Sequence, residues 1–173
     1  MKKKIKVTHE ELGKILFMFI YKATWTYFSD EKSLKGLRLN KKDRPHLILE
    51  AMVALFFLTL VTLDNFLNKE SLEKKVFDSM HKAFYKGLDV DKRNRGEIKK
   101  LFALRCKEYQ RAMKEKRGPN WLWPFAHHVL NNLRQKETKD AFVMTRLTAF
   151  LTSVAKQIPD LVDNYKTVQT KEK

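Results

Sequence analysis

Two pairs of residues in this chain have the spacing of metal ligands on a helix. Asp43 and His46 form one Asp-x-x-His pair, and Asp78 and His81 form the other. A carboxylate and an imidazole three residues apart on each of two helices are half of the ligand set of a di-iron bundle. In an antiparallel hairpin, however, His81 lies about twelve residues from the level of His46, roughly 18 Å at 1.5 Å per residue. We therefore predict no metal site, and we expect a helix cap and an edge histidine instead.

Other candidate reactive groups are isolated. Cys106, the one cysteine, lies at the edge of an apolar helical stripe, which is typical of a small buried hydrophobe; it also favours a reducing, cytoplasmic compartment. His127 and His128 are adjacent and point about 100° apart on a helix, so we expect solvent-edge positions. No Gly-Lys-Ser/Thr sequence is present, which excludes the common phosphate-binding loop. The sequence thus predicts no catalytic residue, no cofactor and no enzymatic activity.

Positive charge is the strongest chemical signal, and it is concentrated in three segments. The chain has 36 Lys and Arg residues against 20 Asp and Glu residues, a formal net charge of +16. Nearly all of this excess lies in residues 2–6, 32–44 and 92–117. A localised charge of this size favours an anionic partner, although many basic surfaces only keep a protein soluble.

The cations of the last basic segment are aligned if that segment is a helix. At 100° per residue, four of them stand within about 60° of one another, opposite an apolar arc. The glutamates of this helix fall beside the row, and a basic loop precedes it. The predicted nucleic-acid or anion-binding residues are Lys92, Arg93, Arg95, Lys100, Lys107, Arg111 and Lys114.

One cation of the same helix points the other way. Arg105 falls inside the arc formed by Ile98, Phe102, Tyr109 and Met113. Because an isolated buried charge is very costly, we expect Arg105 to be paired with a carboxylate. The predicted partners of this buried ion pair are Asp78, if the third and fourth helices are antiparallel, and Asp64 as the second candidate. A functional cleft around Arg105 is the alternative.

Apolar periodicity predicts the helices that position these residues. Thr8 begins the first helix with acidic residues in its first turn, and Pro159 ends the last. Residues 29–45 and 87–96 are expected to be connections. The predicted helices span about 8–29, 44–68, 71–88, 97–117, 122–136 and 138–157. This pattern predicts a single all-α domain over residues 1–173, a bundle of about six helices around the apolar helix 44–68, with tails at 1–7 and 167–173.

The segment from Leu47 to Leu63 raises the question of a membrane span. It contains seventeen residues and one charge, Glu50, and seventeen is the lower limit of the usual ~17–25. Lysines interrupt the first helix, which would have to be the second span, and basic clusters at both ends give no orientation. The remaining helices are amphipathic and need an apolar surface to cover. We therefore predict a soluble core helix, with a membrane-associated hairpin over 8–68 as the alternative.

The first helix has two apolar faces. Leu12, Leu16 and Ile20 belong to the face expected to meet the core. A second face suggests either burial on both sides or a subunit interface, and we predict a homodimer because exposed apolar patches mark contact sites. The predicted dimer interface contains Phe17, Met18, Tyr21, Trp25 and Phe28.

The sequence leaves two questions of function open. The segment PNWLWPF (119–125) is either an aromatic lid on the core or an exposed platform for stacking. The favoured function is a non-enzymatic module that binds nucleic acid, RNA or DNA, through phosphate contacts. An adaptor or oligomeric subunit that binds an acidic protein is the main alternative, followed by a membrane-associated protein.

Overall fold

The chain folds into a bundle of α-helices. The computed structural model describes residues 4–64, 70–87, 92–115, 121–137 and 140–167. Within these ranges Lys41–Asp43 form a turn of 3-10 helix ahead of the third α-helix. The α-helices are α1 (His9–Ser29), α2 (Glu31–Gly36), α3 (Arg44–Asp64), α4 (Glu70–Gly87), α5 (Lys92–Glu115), α6 (Leu122–Arg134) and α7 (Ala141–Asp163). The predicted all-α fold is therefore confirmed.

Helix α3 is the axis of the bundle. It contacts α1, α4, α5, α6 and α7, and all of its residues from Glu50 to Thr59 are buried. In the described part of the chain, the segment Lys41–Asp64 is the one helix long and apolar enough to cross a membrane, and 72% of its most apolar window is buried inside the protein. Burial on all sides is what an all-apolar helix at the centre of a globular bundle requires, as predicted. The predicted continuation to residue 68 lies outside the described residues.

Five helices surround α3 in a fixed order. Helix α4 packs on α1, α1 meets α7, α7 packs on α6, and α6 packs on α5. The ring is completed by the edge-to-face contact of Phe84 in α4 with Phe102 in α5, whose ring centroids are 5.2 Å apart. The consequence is that α5 lies across the bundle from the junction of α1 with α7.

The main differences from the prediction concern α2, α5 and α7. Helix α2 lies in the predicted connection, where the Asp30 carboxylate accepts a hydrogen bond from the Ser33 amide at 2.7 Å and caps the helix. Helix α5 begins at Lys92, so residues 92–96 of the predicted loop are helical. Helix α7 continues past Pro159 to Asp163. Burial of Ile158, and the packing of Leu161 and Val162 on the core, stabilise this last stretch against the loss of one N–H donor.

The two ends of the described chain pair with each other. Strand β1 (Ile5–Val7) lies parallel to strand β2 (Tyr165–Thr167), and Val7 is buried. Lys4 Nζ lies 3.1 Å from Asp163 Oδ1 beside this pair. Residues 5–7 and 167, predicted to belong to tails, are thus held in a short two-stranded pair by backbone hydrogen bonds.

Helix α1 is covered on two sides. Its N-terminus forms the capping box that Thr8 predicts, because Thr8 Oγ1 accepts from the Glu11 amide and Glu11 Oε2 accepts from the Thr8 amide. Gly13 allows the backbone of α4 to approach closely at Val76 and Ser79. The Ser79 hydroxyl donates to the Glu10 carbonyl at 2.7 Å.

Two of the five residues of the predicted dimer interface are buried inside the protein. Phe17 is buried against Gly87 of α4, and Phe28 is buried against Phe150 of α7, so neither is available to a second copy. Met18 and Trp25 remain exposed and Tyr21 is half-buried. The prediction was wrong for the two phenylalanines because it assigned a single apolar face of α1 to the core.

Candidate functional site

Helix α5 is anchored by aromatic side chains along one side. The Phe102 ring packs edge-to-face on Phe56 of α3 at 5.4 Å. Tyr109 is fully buried, with its ring 5.4 Å from Phe57 and 4.9 Å from Phe125 of α6. These contacts fix the rotation of α5 about its axis, and they thereby decide which of its cations face solvent.

Arg105 forms the buried ion pair that its position in the apolar arc predicts. Its Nη2 donates to Glu50 Oε1 at 2.7 Å and its Nε donates to Glu50 Oε2 at 2.9 Å. The Glu50 side chain is 2% exposed and the Arg105 side chain is 16% exposed. Nη1 donates to Glu108 one turn further along α5, at 3.1 Å. Two carboxylates therefore share one guanidinium.

Both predicted partners of Arg105 were wrong. Asp78 and Asp64 are exposed, and the partner comes from the central helix. The error at Asp78 arose from treating α4 as the neighbour that Arg105 faces, whereas this turn of α5 faces α3 and α6. Asp64 belongs to α3, but it lies at the end of that helix, far along it from Glu50. The sequence did contain a usable signal, because Glu50 is the one charge between Leu47 and Leu63.

The ion pair extends into a polar network between α5 and α6. The Asn132 amide donates to Glu108 Oε2 at 3.1 Å and to the Tyr109 hydroxyl at 3.4 Å. Burial acts to lower the pKa of Arg105, but hydrogen bonds and charges from Glu50 and Glu108 outweigh it, so the pKa is raised. Burial raises the pKa of Tyr109 as well. The network is mostly buried, with Arg105 and Glu108 partly exposed, and its charged groups are paired with one another, which is the arrangement of a structural element.

The four aligned cations lie on the opposite side of α5. We call Lys100, Lys107, Arg111 and Lys114 the cationic row, and all four are exposed. None of them forms an ion pair with a carboxylate in the part of the chain that the structure describes. Glu108, next to Lys107 in the sequence, is turned inward onto Arg105 and Asn132, whereas the side chain of Glu115, next to Lys114, lies outside the described residues. Among the described residues, the row is thus a strip of positive charge without a carboxylate partner.

The other three predicted anion-binding residues lie in the first turn of α5. The side chains of Lys92 and Arg93 are outside the described residues. Arg95 is exposed, but it lies roughly 140° around the helix from Lys100. Its charge acts on Tyr85 of α4, where burial, the larger effect, raises the pKa of the phenol and Arg95 opposes the rise. The structure therefore separates Arg95 from the cationic row.

Sequence reasoning missed an apolar residue beside the row. Leu104 is 52% exposed and, at 100° per residue, projects about 40° from Lys100, roughly 20° beyond Arg111 at the edge of the row. Gly96, one turn before Lys100, has open space where a side chain would stand. The exposed face of α5 is therefore basic, with one apolar side chain, Leu104, beside the cations.

The Asp-x-x-His pairs are separated by the fold. His46 Nε2 donates to the Asn132 carbonyl of α6 at 3.1 Å, and Asp43 is exposed. His81 packs edge-to-face on Phe77 at 4.3 Å, and burial lowers the pKa of its imidazole. Across the described ranges, no three His, Cys, Asp or Glu side chains are arranged to hold a metal ion.

The remaining candidate reactive residues have packing roles. Cys106 is half-buried, and burial raises the pKa of its thiol, which disfavours nucleophilic chemistry. His127 and His128 are both half-buried, as expected of positions at the solvent edge, with ring centroids 6.2 Å apart.

The aromatic segment 119–125 is divided between the two predicted roles. Phe125 is fully buried, and the Trp121 ring packs on it with a centroid distance of 5.9 Å. Trp123 is exposed, whereas Pro119 and Asn120 lie outside the described residues. The segment covers one end of the core and leaves one indole at the surface.

Comparisons of this chain with protein-family models, with curated proteins and with solved structures find no match.

Proposed function

We propose that the protein is a non-enzymatic module that binds nucleic acid through phosphate contacts along the cationic row. The observation that carries this proposal is that four exposed cations are aligned on one helix while Glu108, the carboxylate next to Lys107, is held inside by Arg105. Lys100 and Lys114 are about 21 Å apart along the axis at 1.5 Å per residue. A cytoplasmic location fits the lone half-buried thiol.

The fixed orientation of α5 supports a role in binding the phosphate backbone of nucleic acid. A phosphate chain carries closely spaced charges, and each cation that neutralises a phosphate releases a condensed counterion. Because Tyr109 and Phe102 hold the helix in one rotation, the row presents its cations without any rearrangement of the fold. Contacts of this type position a protein on nucleic acid and carry no sequence preference.

The salt dependence of binding tests the proposal. Replacing Lys100, Lys107, Arg111 and Lys114 with Gln should weaken binding to mixed-sequence RNA and DNA and flatten the slope of log affinity against log salt. Each contact contributes ~0.7–0.9 to that slope, so a loss of roughly 2.1–2.7 is expected if three of the four cations contact phosphates. Fluorescence anisotropy titrations at several salt concentrations measure both quantities.

A matched control removes the same charge elsewhere. Lys74, Lys75, Lys82 and Lys86 are exposed cations of α4, and their replacement with Gln also changes the net charge by four. This variant should keep most of the wild-type slope. If both variants lose the same amount, the row has no special role, and if wild-type protein shows no binding at low salt, nucleic acid is not the partner.

A second candidate partner is an acidic protein. The observation that favours it is Leu104, whose exposed side chain beside the cations suits the apolar face of an acidic amphipathic helix. Leu104→Gln should weaken the binding of such a partner, because an apolar anchor is lost. The same change should leave the salt dependence of nucleic-acid binding as it is, since no charge is altered.

A further inference from the structure

A groove between α1 and α7 is lined by aromatic rings. It has a volume of about 330 Å³, and its lining includes Phe19, Tyr27 and Phe150. The Tyr27 and Phe150 rings are stacked, with centroids 4.0 Å apart and planes inclined by 20°. Lys22 and Gln157 also line the groove, and Lys22 is its one charged lining residue. The groove therefore offers apolar ring surface beside one cation.

The aromatic surface continues along α7 beyond the groove. Phe142 is 61% exposed, and the Arg146 guanidinium lies over its ring, 4.8 Å from the centroid. Arg146 is one turn before Phe150, and its charge acts on the Tyr27 phenol at the end of the ring stack. Phe142, Arg146 and Phe150 thus follow one another at intervals of four residues on one side of α7, and we call these three residues with Tyr27 and Lys22 the stacking face.

A second arginine is fixed beside the stacking face. Arg38 follows the end of α2 with φ of 51°, in a left-handed position that glycine usually occupies. Its Nη1 lies 2.8 Å from Oδ2 of Asp140, whose Oδ1 accepts from the Val143 amide and caps α7. A side chain at Gly36 would collide with the Arg146 guanidinium. The left-handed backbone at Arg38 and the lack of a side chain at Gly36 therefore allow Arg38 and Arg146 to lie beside the stacking face. Arg38 comes from the basic segment 32–44, which takes no part in the cationic row.

We infer that the stacking face is a binding site for single-stranded nucleic acid, with bases stacked on Phe142 and in the groove and phosphates on Arg146 and Lys22. Ring stacking on successive bases next to cations is the physical basis of sequence-tolerant single-strand binding. A duplex keeps its bases inside its own stack, so it leaves these rings unused. Phe142 to Gln157 spans about 22 Å along α7, enough for several nucleotides.

This inference shares with the proposed function the class of partner, and it assigns a different surface. The cationic row lies on α5, across the bundle from the junction of α1 with α7. The two surfaces would contact separate segments of one strand or two different molecules. They are therefore testable one at a time.

The test uses a fluorescein-labelled oligo(dT) of about twelve nucleotides and a mixed-sequence duplex of the same length. Phe142→Ala and Arg146→Gln each remove an exposed group from the stacking face. The matched controls are Trp123→Ala, an exposed aromatic on α6, and Lys156→Gln, an exposed cation on α7 away from the groove. Phe142→Ala should weaken single-strand affinity at least ~5-fold, the lower limit for loss of one stacked base, and should leave duplex affinity unchanged. Circular dichroism and melting curves establish that each variant is folded.

The outcomes separate the two surfaces. If the stacking-face variants lose single-strand binding while the Gln variant of the cationic row keeps its salt slope, the inference stands and the row fails. If Phe142→Ala behaves like Trp123→Ala, the inference is overturned, whatever the row does. Poly-glutamate is also tested as a competitor. If its competition depends on Phe142 as strongly as oligo(dT) binding does, an acidic peptide is assigned to this face and the inference is overturned too.

Discussion

Replacing Arg105 with alanine removes the counter-charge of the most buried carboxylate in the described part of the protein. Glu50 accepts hydrogen bonds from Nε and Nη2 of Arg105 at 2.9 and 2.7 Å, and its side chain is 2% exposed. Leaving one member of a buried pair alone costs about 3–5 kcal/mol. Because Arg105 itself reaches solvent, water can enter the vacated space, and we expect the lower end, about 3 kcal/mol. For a chain of this size, that loss lowers the melting temperature by roughly 6–12 °C.

Urea unfolding of the wild type and of Arg105→Ala, followed by circular dichroism, measures this loss.

Two further variants test whether the unpaired charge of Glu50 causes the loss. Glu108→Gln removes the more exposed carboxylate of the network and should cost only about 1 kcal/mol. Replacing the pair with Glu50→Gln and Arg105→Met should recover much of the loss, since no charge then remains buried. Wild-type stability of Arg105→Ala at pH 8 would refute the view that Glu50 depends on this guanidinium.

The remaining predictions concern the glycines of α1 and α5 and the exposed face of α1. Gly13→Ala should destabilise the protein by roughly 1–3 kcal/mol because its methyl group would collide with Val76 and Ser79. Gly96→Ala has open space around it and should stabilise the protein by up to about 1 kcal/mol. Melting temperatures of the two variants that shift in the same direction would contradict this pair of predictions. If the protein forms the predicted homodimer through Met18, Tyr21 and Trp25, Trp25→Glu should be monomeric by light scattering, and a monomeric wild type at micromolar concentration would exclude that dimer.

The parts of the fold that depend on local periodicity were predictable, and those that depend on neighbours were not. Helix α3 follows from its long apolar run, and the burial of Arg105 follows from its place in an apolar arc. The partner of Arg105 depends on which helices are adjacent, and nothing local to residue 105 specifies this. Likewise, a proline considered alone predicts the end of a helix, which is why α7 was expected to stop before Pro159. The packing of the residues around Pro159 allows α7 to continue, and the sequence does not show that packing.

The candidate site divides in the same way. The cationic row is a property of one helix, so its alignment was visible in the sequence. The stacking face joins α1 with the start of α7, more than a hundred residues apart, and its exposed phenylalanine has no sequence signature. The separation of Arg95 from the row follows from helical periodicity once α5 includes residue 95, and the prediction missed it because residues 87–96 were assigned to a loop.

The central position of α3 has a consequence for the newly synthesised chain. When residue 64 has been added, only α1 and α2 precede it, and α4, α5, α6 and α7 are still to be made. At about 5–20 residues per second, the remaining roughly 100 residues take about 5–20 s. At the start of that period an apolar helix of membrane-spanning length lacks four of the five helices that cover it, and the last of them, α7, is complete only near its end. We expect the nascent chain to be exposed to hydrophobic-segment chaperones and membrane-targeting factors during this time, and the rate of translation after residue 64 sets how long they compete with folding.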